Sequence, residues 1–288
     1  MWIGTEQHKQ LFCESFIASH RPYRAEDVPW PELPPATVER LRALPFWGEA
    51  LGTERDTGAK ITAYARTVAD PLLREAIALQ GMEEVRHAGL LEGLMARYEI
   101  SAAPRLSSPL PADLDQAFVD AGYGECMDSF FAFGLFKLAG DSGFFPPNLL
   151  GAVEPIVAEE ARHIVFFANW EAYHQLRRHR GAKALRFARA LRFYVRAVRR
   201  RLGALRGASR SGSGFTASGA ADLELPALTP AAFLETCLAE NARRLAPFPP
   251  ALLRPRLMPA LARTFLRALR AVPSKGVAGT PARSGQPS

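Results

Sequence analysis

The segment Glu83-Glu84-Val85-Arg86-His87 recurs almost unchanged as Glu159-Glu160-Ala161-Arg162-His163. In each copy a glutamate and a histidine lie three residues apart, so on a helix they share one face. A carboxylate oxygen and an imidazole nitrogen on that face can bind one metal ion. A single Glu-x-x-His pair is common on exposed helices. Two copies, each within a helical pattern, favour a metal site over two solvated helix faces.

The sequence around the two copies predicts four long helices. Apolar residues recur at helical spacings, and Asp70-Pro71 is a strong start signal, because aspartate caps a helix and proline suits its first position. Pro155 predicts a kink or a later start in the fourth helix. The predicted helices cover residues 51–69, 71–98, 113–138 and 147–175, and residues 101–112 form a long connection. This order is that of an all-α four-helix bundle with one crossover.

In such a bundle, two Glu-x-x-His helices need one further glutamate from each of the other two helices. Antiparallel neighbours match in depth where residues are equally distant from the turn that joins them. By this rule Glu54 matches Glu84, and Glu125 matches Glu160. The predicted ligands are Glu54, Glu84, His87, Glu125, Glu160 and His163.

Neighbouring carboxylates are alternatives at two of these positions. Glu49 and Asp56 could replace Glu54, and Asp128 could replace Glu125. Four carboxylates and two imidazoles suit iron or manganese better than copper or a metal that prefers thiolates. Buried carboxylates also need opposite charge, which metal ions supply. We therefore expect two iron ions, with manganese as the alternative.

The paired (Asp/Glu)-Glu-x-Arg-His motifs resemble those of the ferritin-like di-iron carboxylate superfamily. The doubled form, with the acidic residue and the arginine in both copies, resembles its oxygen-activating branch, which includes bacterial multicomponent monooxygenases and ribonucleotide reductase small subunits. The resemblance covers roughly residues 48–170 and is specific at the two motifs. It implies a ferritin-like four-helix bundle with the six ligands as the catalytic centre, and the sequence pattern adds C-terminal helices to this bundle.

The resemblance also implies a role for the residue that precedes each ligand glutamate. Glu83 and Glu159 would each orient a histidine ligand, with Arg86 and Arg162 pairing to them. A metal-bound imidazole needs an acceptor for its other N–H group, which gives this role a physical reason. A plain surface ion pair is the alternative for both glutamates.

These features predict a di-iron, or iron and manganese, oxidoreductase that activates O2 to oxidise a small apolar substrate. An external electron donor is expected, because the sequence carries no flavin, dinucleotide or iron–sulfur motif. The alternative is a ferritin- or rubrerythrin-like protein that handles iron or removes peroxide. A third hypothesis is a non-enzymatic helical scaffold at a membrane. The oligomeric state is open.

Several further residues have two interpretations. Phe131, Phe166 and Phe167 are core residues or the walls of an apolar pocket beside the metals. Gln80, one turn before Glu84, is a plain polar residue or lines that pocket, and Cys126 is interpreted as a small core residue. The histidines outside the motifs are predicted to lie on the surface: His8, His20, His174 and His179.

The 288 residues carry a formal net charge of +7, but the charge is divided unevenly. Residues 1–170 have a net charge of −10, and residues 171–288 a net charge of +17. Residues 182–206 predict an amphipathic helix rich in arginine, which is a solvated face or contacts a membrane surface or an acidic partner. We expect no nucleic-acid partner, because few aromatic residues lie among these arginines.

The chain is accordingly divided into four parts. Residues 1–47 form a lead-in, residues 48–175 the bundle, residues 176–272 a basic helical extension with a flexible linker at 207–220, and residues 273–288 a disordered tail. Helices are predicted at 230–245 and 259–271 of the extension. The three cysteines are far apart and no long apolar segment is present, so we expect a cytoplasmic protein, with contact at a membrane surface left open.

Overall fold

A computed structural model describes residues 2–103, 108–178, 187–188, 190–196 and 228–271, and the regular structure in these ranges is all helical. This confirms the all-α fold class. The helices are α1 (Glu6–Ala18), α2 (Pro35–Ala43), α3 (Trp47–Ala65), α4 (Pro71–Arg97), α5 (Leu114–Asp141), α6 (Pro147–Arg177), α7 (Pro230–Leu245) and α8 (Leu257–Ala271), with a short 3-10 turn at Ala25–Asp27. Among the residues described, none of the helices is both long enough and apolar enough to span a membrane.

The helix boundaries agree closely with the predicted ones, with two differences. Helix α3 begins and ends about one turn before the predicted range. Helix α6 begins at Pro147 and continues through Pro155, so the later start predicted from Pro155 is wrong. Of the predicted arginine-rich helix at 182–206, only 187–188 and 190–196 are described, and they are helical. The linker at 207–220 and the tail at 273–288 lie outside the described residues.

The four long helices pack as two pairs, α3 with α4 and α5 with α6, and α3 also contacts α5 while α4 contacts α6. Helix α1, in the predicted lead-in, packs against α4 and α6, and α7 packs against α5. The core that they share is rich in aromatic side chains. Its fully buried aromatic residues include Phe12, Phe118, Phe130, Phe133, Phe166, Phe167 and Trp170. A separate cluster packs α2 against α3 and α4 through Leu41, Trp47 and Leu94.

Asp70 fixes the start of α4, as its position before Pro71 predicts. Its carboxylate accepts a hydrogen bond of 3.0 Å from the backbone N–H of Leu73. The same carboxylate forms an ion pair with Lys9 of α1. One aspartate therefore caps α4 and joins α1 to it.

Two glycines allow α3 and α4 to approach closely near the repeated motif. A Cβ atom at Gly81 would lie 2.6 Å from Thr62 Oγ1 and 3.0 Å from the Thr62 backbone nitrogen. A Cβ atom at Gly58 would lie 3.2 Å from the Val85 backbone nitrogen. This close approach brings the Glu54 carboxylate of α3 near Glu84.

Replacement of Gly81 by alanine should destabilise the protein, because the added methyl group would push α3 away from α4. We expect Gly81→Ala to lower the free energy of unfolding by about 1–3 kcal/mol. Gly151→Ala in α6 is the matched control, since nothing lies within 4 Å of its added Cβ. The control should gain up to about 1 kcal/mol from helix propensity. Equal stability of the two variants in urea unfolding would contradict the close packing.

The Lys9–Asp70 ion pair should make stability depend on pH. Burial tends to raise the pKa of Asp70, but Lys9 and the Leu73 N–H group outweigh it and lower that pKa. The pair therefore stabilises the fold above the ordinary aspartate pKa of about 3.9, and this contribution is lost as the pH falls below it. Asp70→Asn keeps a capping oxygen but loses the charge. Its melting temperature should lie below that of the wild type at pH 7, and the difference should shrink as the pH falls below about 4. A difference that stayed constant would refute this account.

Candidate metal centre

The helices bring all six predicted ligands into two adjoining clusters of donor atoms. In each cluster, one atom from every member lies within 4.8 Å of the others. The first cluster consists of Glu54, Glu84, His87 and Glu160, and the second of Glu84, Glu125 and His163. Glu84 belongs to both clusters, so its carboxylate is placed between two positions that could each hold a metal ion.

The carboxylates considered as alternatives do not belong to these clusters. Asp56 instead accepts hydrogen bonds from the backbone N–H and hydroxyl groups of Ser108, at 3.2 and 2.9 Å. Among the described residues, Glu54 and Glu125 are therefore the carboxylates of α3 and α5 that lie beside the histidines, as their distances from the turns predict.

The two imidazoles face the carboxylates through their Nδ1 atoms. His163 Nδ1 lies 3.0 Å from Glu84 Oε1. His87 Nδ1 lies 3.4 Å from Glu160 Oε1 and 3.5 Å from Glu54 Oε2. Glu84 and both histidines are buried, whereas the side chains of Glu54 and Glu160 remain 20% and 18% exposed. The first cluster is therefore open to solvent on the side of these two glutamates.

The outer nitrogen, Nε2, of each imidazole is held by a carboxylate of the opposite motif, an arrangement here called the exchange. His163 Nε2 lies 2.9 Å from Glu83 Oε2, and His87 Nε2 lies 2.9 Å from Glu159 Oε2. Each motif thus supplies the carboxylate that orients the histidine of the other motif. Glu83 and Glu159 are buried, so the alternative of plain surface ion pairs is wrong.

The motif arginines complete the same exchange. Arg162 Nη1 donates to Glu83 Oε1 at 2.7 Å, and Arg86 Nη2 donates to Glu159 Oε1 at 2.6 Å. These ion pairs balance the charge of the outer carboxylates. The ligand carboxylates are here called the inner carboxylates. Within the described part of the chain, Glu54, Glu84 and Glu160 form their ion pairs with His87 and His163.

The donor atoms inside the centre fit a metal ion. A carboxylate can only accept hydrogen bonds, so the Nε2 atoms of His87 and His163 carry the proton, and in a neutral imidazole Nδ1 is then a free lone pair. Among the described residues, His87 Nδ1, His163 Nδ1 and Glu84 Oε1 have no hydrogen-bond partner. Buried polar atoms normally have one. A bound cation would satisfy all three atoms at once.

The pKa shifts show how strongly the centre attracts positive charge. Burial tends to lower the pKa of His163 and of His87, but the surrounding carboxylates outweigh it and raise both pKa values well above the ordinary value. Burial and the nearby Glu84 carboxylate raise the pKa of Glu125 well above its usual range. His87, His163 and Glu125 therefore favour their protonated forms, and a metal ion that binds to them must displace protons.

Two polar side chains support the inner carboxylates. Gln80 Nε2 donates to Glu125 Oε2 at 3.1 Å, which places Gln80 beside the second cluster, the less favoured of its two interpretations. Ser129 on α5 donates to Glu160 Oε2 at 3.2 Å. The serine follows Glu125 by about one helical turn, but no motif in the sequence identifies it.

Two residues of the lead-in also reach the centre, and the sequence analysis did not identify them. His20 Nδ1 lies 2.6 Å from Glu83 Oε1, and the Tyr23 hydroxyl donates to Glu159 Oε2 at 3.2 Å. The prediction that His20 lies on the surface is therefore wrong. No local pattern marks either residue, because their contacts depend on how α1 packs.

The other histidines predicted on the surface also differ from expectation. His8 is fully buried, and its Nε2 atom lies 3.0 Å from Asn169 Oδ1. His174 is half-buried and stacks on Trp170 with ring centroids 4.5 Å apart. His179 lies outside the described residues.

The aromatic residues considered for a pocket pack mainly into the core. Phe166 and Phe167 are fully buried there, and Phe131 stacks on Phe233 of α7. Among the residues described, the Phe16 ring adjoins a predicted ligand, with its centroid 6.0 Å from that of His163. Cys126 is buried and burial raises the pKa of its thiol, which agrees with its interpretation as a small core residue.

Comparisons of the chain with protein-family models, with curated proteins and with solved structures gave no match.

Mutations can distinguish the two clusters, because Glu84 belongs to both whereas Glu54 and Glu125 belong to one each. Glu84→Gln should remove both metal ions, whereas Glu54→Gln and Glu125→Gln should each remove one, because those residues belong to one cluster only. Glu92→Gln is the matched control on α4, since Glu92 forms an exposed ion pair with Arg55. Metal analysis after anaerobic reconstitution checks this. Full occupancy in Glu84→Gln would refute the assignment of the ligands.

Proposed function

We propose that this chain is a di-metal carboxylate oxidoreductase that uses O2 to oxidise a small organic substrate. The observation that carries the proposal is the pair of Glu/His clusters joined by Glu84. Two donor sets that share a carboxylate can hold two metal ions side by side. Two iron ions, or iron with manganese, suit these oxygen and imidazole donors. When bound, they would supply the redox chemistry that reduces O2.

We assign helices α3–α6 to a ferritin-like bundle. The support is that each of these four helices contributes one glutamate, namely Glu54, Glu84, Glu125 and Glu160. The two histidines follow their glutamates by three residues on α4 and α6. The order of the helices, with its long connection between α4 and α5, agrees with this assignment.

The protein's own residues bind, orient and shield the metals. Glu83 and Glu159 hold the imidazoles so that Nδ1 points inward, which fixes the geometry of the donors. Burial of Glu84 and both histidines excludes water from the middle of the centre. Small molecules can approach from the side of Glu54 and Glu160, which remain partly exposed.

The surroundings favour an apolar substrate. The support for this choice is Phe16, whose ring adjoins that of His163. In a hydroxylation, one oxygen atom would enter the substrate and the other would leave as water, with two electrons and two protons from an external donor. N-oxygenation and desaturation are the related reactions that the same centre could perform.

A single-turnover experiment tests this function. The protein is loaded anaerobically with Fe(II), exposed to O2 and incubated with small apolar candidates, including those suggested by genes adjacent to its own. We expect O2 consumption that depends on the metal, together with an oxidised organic product, and neither in Glu84→Gln.

Two results would count against the oxidase proposal. Consumption of H2O2 in proportion to the iron, with no organic product from any candidate, would favour the iron-handling or peroxide-removing alternative. Absence of bound metal in the reconstituted wild type would refute both functions.

A further inference from the structure

Residues 16–23, here called the strap, contact the glutamate and the arginine that lie outside the ligand set in each motif. These are Glu83, Arg86, Glu159 and Arg162. The strap comprises the last turn of α1 and the chain that follows it. Arg162 donates to the Phe16 carbonyl oxygen at 2.6 Å and to the Ser19 hydroxyl at 3.0 Å. The strap therefore holds the arginine that pairs with Glu83.

Through Tyr23 the strap also contacts Arg86 and Glu159, the pair that holds His87. The Arg86 guanidinium lies over the Tyr23 ring, 4.0 Å from its centroid, while the Tyr23 hydroxyl donates to Glu159. His20 contacts Glu83. The Nδ1–H group of His20 donates in that contact, because a carboxylate can only accept.

Each outer carboxylate consequently receives three donors. Glu83 accepts from His163, Arg162 and His20. Glu159 accepts the corresponding set of His87, Arg86 and Tyr23. Charge-assisted hydrogen bonds of this kind restrict a carboxylate to one orientation, and that orientation sets the direction of the imidazole it holds.

We propose that His20 and Tyr23 are positioning residues for the metal centre and that each serves one metal position. His20 acts through Glu83 on His163, in the cluster with Glu125. Tyr23 acts through Glu159 on His87, in the cluster with Glu54. The inference rests on the proposed two-metal centre and adds to it a segment outside the repeated motifs. Docking of the strap thereby sets the affinity of each position separately.

The full-length protein, freed of metal and titrated with Mn²⁺, provides the test. Loss of an outer hydrogen bond typically weakens metal binding by about 10–100-fold, and for the strap residues we expect about tenfold. In a Glu125→Gln background, which keeps only the position at His87, Tyr23→Phe should weaken binding and His20→Ala should not. In a Glu54→Gln background, which keeps only the position at His163, the effects should be reversed.

Two further variants separate positioning from a general loss of structure. Tyr173→Phe is the matched control, because the Tyr173 hydroxyl donates to Glu6 of α1 at 2.9 Å, away from the metal ligands. It should change α1 packing without changing Mn²⁺ affinity. His20→Asn keeps a side-chain N–H donor and should recover most of the affinity that His20→Ala loses.

The outcomes are distinguishable. A wild type that binds no Mn²⁺ would overturn the proposed function and this inference with it. A wild type that binds two ions, with strap variants that bind as well as Tyr173→Phe, would overturn the inference alone. Equal weakening of both positions by either strap variant would also overturn it, because the proposed action is specific to one position.

Discussion

The structure depends on the electrostatic cost of placing four carboxylates inside a helical core. Isolated buried charges are strongly unfavourable, so the inner glutamates need compensating positive charge. The motif arginines do not supply it, because Arg86 and Arg162 pair with the outer glutamates. Positive charge beside the inner glutamates therefore comes from the two histidines and from any cation that binds there. This constraint explains why a cluster of converging glutamates and histidines favours a cation.

The exchange between the two motifs links this local chemistry to the packing of α4 against α6. Because Glu83 holds His163 and Glu159 holds His87, neither motif forms a complete site alone. The centre can form only when the two helices lie side by side at the right depth. The close contact of α3 with α4 at Gly81 then adds the carboxylate of Glu54. The six Glu and His side chains therefore come together only when these helices pack against one another.

Most of the helical layout, and the convergence of the six Glu and His side chains, could be predicted from the sequence, because both follow from local rules. Helical periodicity and the Asp70-Pro71 cap fix the helices, and matched distances from the turns identify Glu54 and Glu125. The exchange of outer carboxylates, and the contribution of His20 and Tyr23, could not be predicted. These contacts join residues far apart in the chain, and no spacing within one helix encodes them. Of the two effects predicted for Pro155, a kink or a later start, the later start did not occur, because α6 begins at Pro147 and continues through Pro155.

A crystal structure of the iron-loaded protein, with anomalous diffraction recorded at the iron absorption edge, tests the central claim most directly. We predict two anomalous peaks, one on each side of Glu84. One peak should adjoin His87 Nδ1 and the other His163 Nδ1. Iron bound elsewhere, or no ordered iron between these side chains, would contradict it.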